Sequence, residues 1–335
     1  MSRGAGAASI FAADVGGTKT QFGLFRAGPS GPECVRSETV PSDPARPFEE
    51  IARRFLESAA PTAVCLAVAG PVIEQRAAMT NHPWVLDAGD LSAALAGAPT
   101  RIVNDLEATA VAMPYLDAKR LVTIAPGAAQ ARRATVAVVA PGTGLGCATL
   151  YWDGTQYHPL ASEGGHTDFA PRDEREVALW HFLHDRHPHV SYERILSGPG
   201  IVTLYAFLRD AIGLPESPQV RTRLDAGPDA AAVVSHAALH DADPLSTAAL
   251  DLFAGILGAK AGNLALEVLA PGGVFIAGGI APKILPKLTD GRLHRAFVDK
   301  GRQRALLERI PLYVSLEPDA ALLGAARLAW AAAGT

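Results

Sequence analysis

Apolar and polar residues follow two spacings along the chain. Short apolar runs that stop at a glycine or a polar residue predict buried strands, and apolar residues three and four positions apart predict helices. The predicted strands are two within residues 9–25, then 62–69, 100–103, 135–140, 146–152 and 274–277. The predicted helices are 44–58, 88–96, 107–115, 174–187, 198–212, 229–239, 244–269 and 320–333. Strands and helices occur in both halves, which predicts an α/β fold.

Three further segments bear on the organisation of the chain. Residues 213–227 are rich in proline and charge, which predicts a surface loop. The last helix is amphipathic, and we expect it to pack on the first domain. The apolar region 248–281 is interrupted by Asp251, Lys260, Asn263 and Glu267, so we expect no segment to span a bilayer.

The length, charge and cysteine content of the chain indicate its number of domains, its partners and its compartment. A chain of 335 residues exceeds one typical core, which predicts two domains. The formal net charge is −4 and no run of lysine and arginine occurs, so neither a nucleic-acid nor a membrane partner is expected. The three cysteines are Cys34, Cys65 and Cys147, without metal-type spacing. This usage predicts a reduced, cytoplasmic protein.

Two glycine-rich turns each separate a pair of predicted strands: Asp14-Val-Gly-Gly-Thr18 and Gly142-Thr-Gly-Leu-Gly146. Glycine tolerates positive φ, so successive N–H groups can point at one anion. The Asp14 carboxylate can also hold a hydrated magnesium ion. A plain hairpin turn remains the alternative for each. Neither turn is a Walker A loop, because the chain contains no Gly-Lys dipeptide.

The predicted strand 100–103 ends on Asn104-Asp105. An aspartate at such a strand end can accept a proton from a substrate hydroxyl, and an asparagine beside it can hold the same hydroxyl. Both residue types also favour the N-cap position of a helix. Spacing alone therefore favours a helix cap over a catalytic base.

Two other segments concentrate polar groups around glycines. Glu163-Gly-Gly-His166-Thr-Asp168, with Glu193 further along, suits recognition of several neighbouring hydroxyls, as on a sugar; the alternative is a polar loop. Gly278-Gly279 follows a strand and can let an adenosine lie against bare backbone, although a tight connection explains it too. His181, His184, His187 and His189 end a predicted helix, and we expect no zinc there, because the helix dipole already explains them.

Seven stretches, in this order, resemble the bacterial ATP-dependent glucokinase family of the hexokinase/actin-like superfamily. They are DVGGTKT (14–20), AMTNHPW (78–84), ND (104–105), GTGLG (142–146), EGGHTDFAP (163–171), ERILSGPG (193–200) and GGVFIAGGI (272–280). The resemblance implies a two-domain actin-like/hexokinase-like (ribonuclease H-like) α/β fold with the active site in a cleft between domains. We expect a small domain of residues 1–115 plus 318–335 and a large domain of residues 116–317.

The resemblance also implies site residues, with ATP and Mg2+ as cofactors. The expected ATP contacts are Ala13, Asp14, Val15, Gly16, Gly17, Thr18, Gly142, Thr143, Gly144, Gly278 and Gly279. Asp14 is expected to order the magnesium ion through water. The family's catalytic base falls on Asp105, and its glucose contacts fall on Asn104, Asp105, Glu163, His166 and Glu193, with Asn81 as a neighbour.

The expected reaction is transfer of the γ-phosphoryl group of ATP to the 6-hydroxyl of glucose, by a cytoplasmic homodimer. Two alternatives stay open at this stage. One is a kinase for another hexose, such as mannose, fructose or an N-acetylated amino sugar. The other is a non-catalytic sugar sensor, although such a sensor can lose the base or a glycine turn, and this chain keeps Asp105 and both turns.

Overall fold

The structure is a computed structural model that describes residues 9–29, 31–79, 82–128 and 133–333. Strands β1 to β14 are Ser9–Val15, Lys19–Gly28, Gly31–Pro41, Ala63–Val68, Val72–Ile73, Arg76–Ala78, Val85–Asp87, Thr100–Asn104, Leu121–Ala125, Val136–Pro141, Leu145–Trp152, Tyr157–Leu160, Val274–Ile276 and Leu312–Ser315. Helices α1 to α12 are Phe48–Leu56, Ala88–Ala94, Asp105–Ala112, Glu174–His184, Gly198–Asp210, Pro218–Ala226, Ala230–His240, Pro244–Val268, Leu285–Thr289, Arg292–Val298, Arg304–Leu307 and Ala320–Ala332.

The chain divides into two compact units. The first comprises Met1–Leu116, Pro159–Ala161 and Asp319–Thr335, and the second comprises Asp117–His158 and Ser162–Pro318. Each unit contains a mixed sheet, as expected for an α/β protein.

The first unit is built on a sheet of order β3-β2-β1-β4-β8. Strand β1 pairs antiparallel with β2 and parallel with β4, and β4 pairs parallel with β8. Helix α1 covers the sheet with Phe48 and Phe55, which pack on Phe22. Helix α12 packs on α3, β1 and β4, which confirms the expected return of the last helix to the first domain.

The second unit is built on a sheet of order β12-β11-β10-β13-β14-β9. Helix α8 is its central helix, and α5, α7 and α10 pack against it. Two glycines of α8 permit close approach to α10, because a Cβ on Gly258 or Gly262 would meet the carbonyl oxygens of Leu293 and Phe297.

The expectation that no segment has the length and polarity needed to span a bilayer is wrong. Helix α8 has 25 residues and is, by length and composition, apolar enough to cross a bilayer. The share of its most apolar window that is buried inside the fold is 72%. Core helices of this kind are apolar because other helices and a sheet surround them.

The predicted strands and helices are present, with ends displaced by a few residues, but the predicted loop 213–227 is wrong. Helix α6 occupies most of it, with the Ser217 side chain accepting a hydrogen bond from the backbone N–H of Val220. Pro218 stands at the first helical position, where its missing N–H costs nothing. Strand β3 escaped prediction because most of its side chains are exposed without regular alternation.

Candidate active site

The first glycine turn connects β1 to β2. The Gly16 N–H donates to the Lys19 carbonyl at 3.0 Å, and a Cβ on Gly16 would lie 2.9 Å from that oxygen. Ser42 holds the turn from the other side: its Oγ donates to the Gly16 carbonyl (2.7 Å) and its N–H donates to the Thr18 carbonyl (3.0 Å). The turn is thus a fixed cradle of main-chain groups, which suits anion binding.

The residues of the first turn that are predicted to contact ATP differ in their exposure to solvent. The side chains of Ala13 and Val15 are fully buried, so only their main chain can meet a ligand. Gly17 is half-buried and Thr18 is exposed at the tip of the turn. Asn81, the expected neighbour of the sugar, lies outside the described residues.

Asp14 lies at the carboxyl end of β1, close to the end of β8. Strands β1, β4 and β8 are parallel neighbours, so Asp14 and Asp105 come to the same edge of the sheet. Burial, assisted by the negative charges of Asp105 and Asp319 and opposed by Lys19, raises the pKa of Asp14 to about 6. A hard cation would relieve this repulsion, and carboxylate oxygen is a ligand that magnesium prefers. Because Mg2+ keeps several of its waters and needs only one or two protein carboxylates, Asp14 is chemically suited to a hydrated magnesium ion.

Asn104 and Asp105 begin α3. The cap interpretation is confirmed for Asn104, whose Oδ1 accepts from the N–H of Leu106 at 2.9 Å and whose Nδ2 donates to the Gly70 carbonyl at 3.0 Å. Asp105 is the first helical residue, and its Oδ1 also accepts from Leu106 N–H, at 2.8 Å. A carboxylate is favourable in the first turn of a helix, and the bond from Leu106 N–H holds Asp105 in place at the sheet edge.

The second glycine turn connects β10 to β11. The Gly142 N–H donates to the Gly144 carbonyl at 2.8 Å, and the Gly142 carbonyl accepts from Gly198 N–H, at the start of α5, at 2.9 Å. Thr143 is exposed at the tip. Gly278 has a φ of +80° and its hypothetical Cβ would lie 2.5 Å from the Pro141 carbonyl. The Gly278-Gly279 segment therefore lies against this turn. This position is consistent with the expected contact between the segment and adenosine.

The three acidic and basic side chains predicted to bind sugar in this unit come together. The His166 Nε2 lies 4.0 Å from a carboxylate oxygen of Glu163 and 3.9 Å from one of Glu193. The same Glu193 oxygen accepts from the N–H of Leu145 at 3.0 Å, and Gly165 packs against the Leu145 carbonyl. The cluster thus adjoins the second glycine turn through Leu145.

Four residues of these sites had no role in the sequence analysis: Ser42, Asp319, Thr167 and Lys260. Ser42 donates a hydrogen bond to Gly16 in the first turn. Asp319 helps to raise the pKa of Asp14. Both residues are distant in sequence from the groups that they affect. Lys260 stood out only as a charge within an apolar helix, and its Nζ donates to the Thr167 hydroxyl at 3.1 Å. The presence of this charged residue within the apolar region 248–281 is the sequence feature that could have indicated its role.

The histidines at the end of α4 have other partners. His184 stacks on Trp180 with a ring separation of 4.5 Å, and His189 Nε2 lies 3.0 Å from Asp168 Oδ1. Within the described part of the chain, no three side chains of His, Cys, Asp or Glu are grouped so that they could hold a metal ion.

Two α/β units, with glycine turns beside carboxylates and a polar cluster next to the second turn, are the arrangement of a sugar kinase of the actin-like ATPase fold. Known proteins agree. The model of the family described as Glucokinase matches residues 11–332. The chain belongs to the glucokinase family.

Individual relatives are similar over nearly the whole chain. The glucokinase of Trichormus variabilis is 40% identical, over 95% of this chain and 97% of its own. A crystal structure of glucokinase from an Antarctic psychrotroph has a TM-score of 0.86 at 32% identity, covering 96% of this chain and 98% of that one. A ROK family glucokinase from Streptomyces griseus, in complex with glucose and AMPPNP, shares the fold at a TM-score of 0.63 and 20% identity, covering 96% and 99%.

Proposed function

We propose that Asp105 is the general base of the glucokinase reaction, in which the γ-phosphoryl group of ATP passes to the 6-hydroxyl of glucose. The products are glucose 6-phosphate and ADP. The observation that carries this proposal is the position of Asp105, held at a strand end and in electrostatic contact with Asp14. A carboxylate there can accept the hydroxyl proton as the oxygen attacks phosphorus.

The other residues of the site are assigned to ATP or to the sugar according to their position. We assign the phosphates of ATP to the two glycine turns, and the adenosine to the Gly278-Gly279 segment. We assign the sugar hydroxyls to Asn104 and to the cluster of Glu163, His166 and Glu193. Among the described residues, the Asn104 side chain bonds to Gly70 and Leu106, which leaves one amide proton for a ligand. The two compact units then serve as the two domains of the kinase.

Asp14 is the residue that we propose to hold Mg2+, through water. The bound ion would neutralise charge on the phosphates, where much of the catalysis of phosphoryl transfer arises. The raised pKa of Asp14 supports this, because a cation there would counteract the burial and the negative charges that raise it. Titration of the protein with magnesium and a nucleotide, followed by calorimetry, should give a magnesium-dependent nucleotide affinity that Asp14→Asn removes.

The test of the base is Asp105→Asn with glucose and Mg-ATP. We expect kcat to fall by about 10²–10⁴ while glucose still binds, because the amide keeps the size but takes no proton. Asp87→Asn is the matched control, since Asp87 caps α2 in the same unit by accepting from Gly89 and Asp90 N–H. Near-normal kcat in Asp105→Asn would mean that Asp105 serves the helix only. A panel of glucose, mannose, fructose and N-acetylglucosamine with the wild-type protein tests the sugar.

We further propose a cytoplasmic homodimer. All three cysteines are free, and Cys65 and Cys147 are buried, which suits a reducing compartment. The proposal of a dimer comes from the family resemblance alone. Sedimentation velocity with the purified protein tests it by measuring the mass of the species in solution. A single species at the monomer mass would contradict it.

A further inference from the structure

A lysine is buried in α8, the long apolar helix of the second unit. Lys260 of α8 is only 2% exposed, among leucine, alanine and phenylalanine side chains. Its ammonium group contacts two neutral groups: Nζ donates to Thr167 Oγ1 at 3.1 Å and lies 4.9 Å from the centre of the Tyr192 ring. Among the residues that the structure describes, it forms no ion pair. Burial of a charge without a counter-ion is costly, so such a residue calls for a compensating role.

The two residues that Lys260 contacts lie beside the sugar cluster. Thr167 follows His166 directly, and Tyr192 precedes Glu193 directly. Thr167 Oγ1 donates its proton to the Gly164 carbonyl at 2.9 Å, so it can only accept from Lys260. The Tyr192 N–H donates to the Thr167 carbonyl at 3.1 Å, which joins the two segments. Lys260 thus holds both segments from the buried side.

The charge of Lys260 also acts beneath this loop. Burial raises the pKa of Cys147 to about 11, and Lys260 opposes that rise. A Cβ on Gly164 would lie 3.0 Å from the Cys147 Cβ, so Cys147 forms part of the floor under Gly164. An apolar side chain at position 260 would fill the space but would supply neither the hydrogen bond nor the attraction to the ring.

We propose that Lys260 is a positioning residue for glucose binding, which clips the Thr167 and Tyr192 segments together and so sets His166 against Glu193. The inference rests on the proposed sugar roles of His166 and Glu193. It predicts an unusual combination of effects. Replacement by an apolar residue should remove the cost of a buried charge and leave the protein at least as stable, while it weakens glucose binding.

The test is Lys260→Met, which keeps the length and removes the charge. We expect the midpoint of thermal unfolding to stay the same or rise, and the KM for glucose to rise about ten-fold, the loss expected for one hydrogen bond to a charged group. The KM for ATP should stay within about two-fold, because Lys260 contacts the sugar segments only. Lys283→Met is the control, since Lys283 is exposed in the same unit.

A second variant keeps the test valid if Lys260→Met fails to fold. Thr167→Val removes the hydroxyl that Lys260 contacts, together with its bond to the Gly164 carbonyl, and it should also raise the KM for glucose. The double variant should lose less than the sum of the two single losses, because both changes break the contact between Lys260 and Thr167. An unchanged KM for glucose in both single variants would overturn the inference, as would a lowered unfolding midpoint of Lys260→Met with unaltered kinetics. Failure of the wild-type protein to bind glucose in calorimetry would instead refute the proposed function.

Discussion

The protonation of Asp14 offers a quantitative test of the site. Burial, Asp105 and Asp319 raise its pKa from the ordinary value of 3.8 to about 6 in the folded protein. The folded state therefore binds the proton more tightly than the unfolded state does. Replacement of Asp14 by asparagine keeps the shape of the side chain and removes the charge, so it should remove the associated free-energy cost.

The magnitude follows from the two pKa values. They differ by about 2, and each pH unit is worth about 1.4 kcal/mol, so an ionised Asp14 lowers the free energy of unfolding by about 3 kcal/mol. Below pH 3.8 both states are protonated and nothing is lost. As the pH rises to 6, the unfolded state ionises first and stability falls; above 6 the loss is complete. Asp14→Asn should therefore gain stability relative to wild type as the pH rises.

Urea unfolding in EDTA between pH 4.5 and pH 7.5 measures this gain. Over that range the stability of Asp14→Asn relative to wild type should increase by about 2 kcal/mol, since part of the loss occurs below pH 4.5. Addition of Mg2+ and a nucleotide should reduce the difference at pH 7.5, because a bound cation stabilises the ionised carboxylate of the wild type. A relative stability that does not change with pH would refute the account of Asp14.

Three further predictions concern the second unit. Gly165→Ala should lower the free energy of unfolding by about 1–3 kcal/mol or more, because its Cβ would overlap the Leu145 carbonyl, whereas Gly142→Ala, with open space around its Cβ, should stay within about 0.5 kcal/mol in urea unfolding. Equal effects would contradict this packing. Glu163→Gln should raise the KM for glucose and spare the KM for ATP in a coupled ADP assay. Thr143→Val should raise the KM for ATP and spare the KM for glucose. A change in the KM for glucose alone would argue against the assignment of Thr143 to the phosphates.

Local patterns along the chain determined most of the secondary structure. Apolar runs ending at glycine predicted the strands that carry both turns, because a buried strand and a tight turn each depend on neighbouring residues. The Asn104 cap was predictable for the same reason: its partner, Leu106, is two residues away. Composition does not reveal helix α6, because residues 213–227 are rich in proline and charge, whereas the pair Ser217-Pro218 is a start signal for a helix.

The sites depended on contacts between residues far apart in sequence. Parallel pairing of β1, β4 and β8 brings Asp14 to Asp105, and the charge of Asp105 adds to burial in raising the pKa of Asp14. The motifs predict which residues bind the ligands, but they do not predict that Glu193 accepts from Leu145 N–H, 48 positions away. Lys260 and Thr167 are 93 positions apart. Sequence periodicity reports which face of an element is buried, whereas the partner of a buried polar group is decided only when the elements pack.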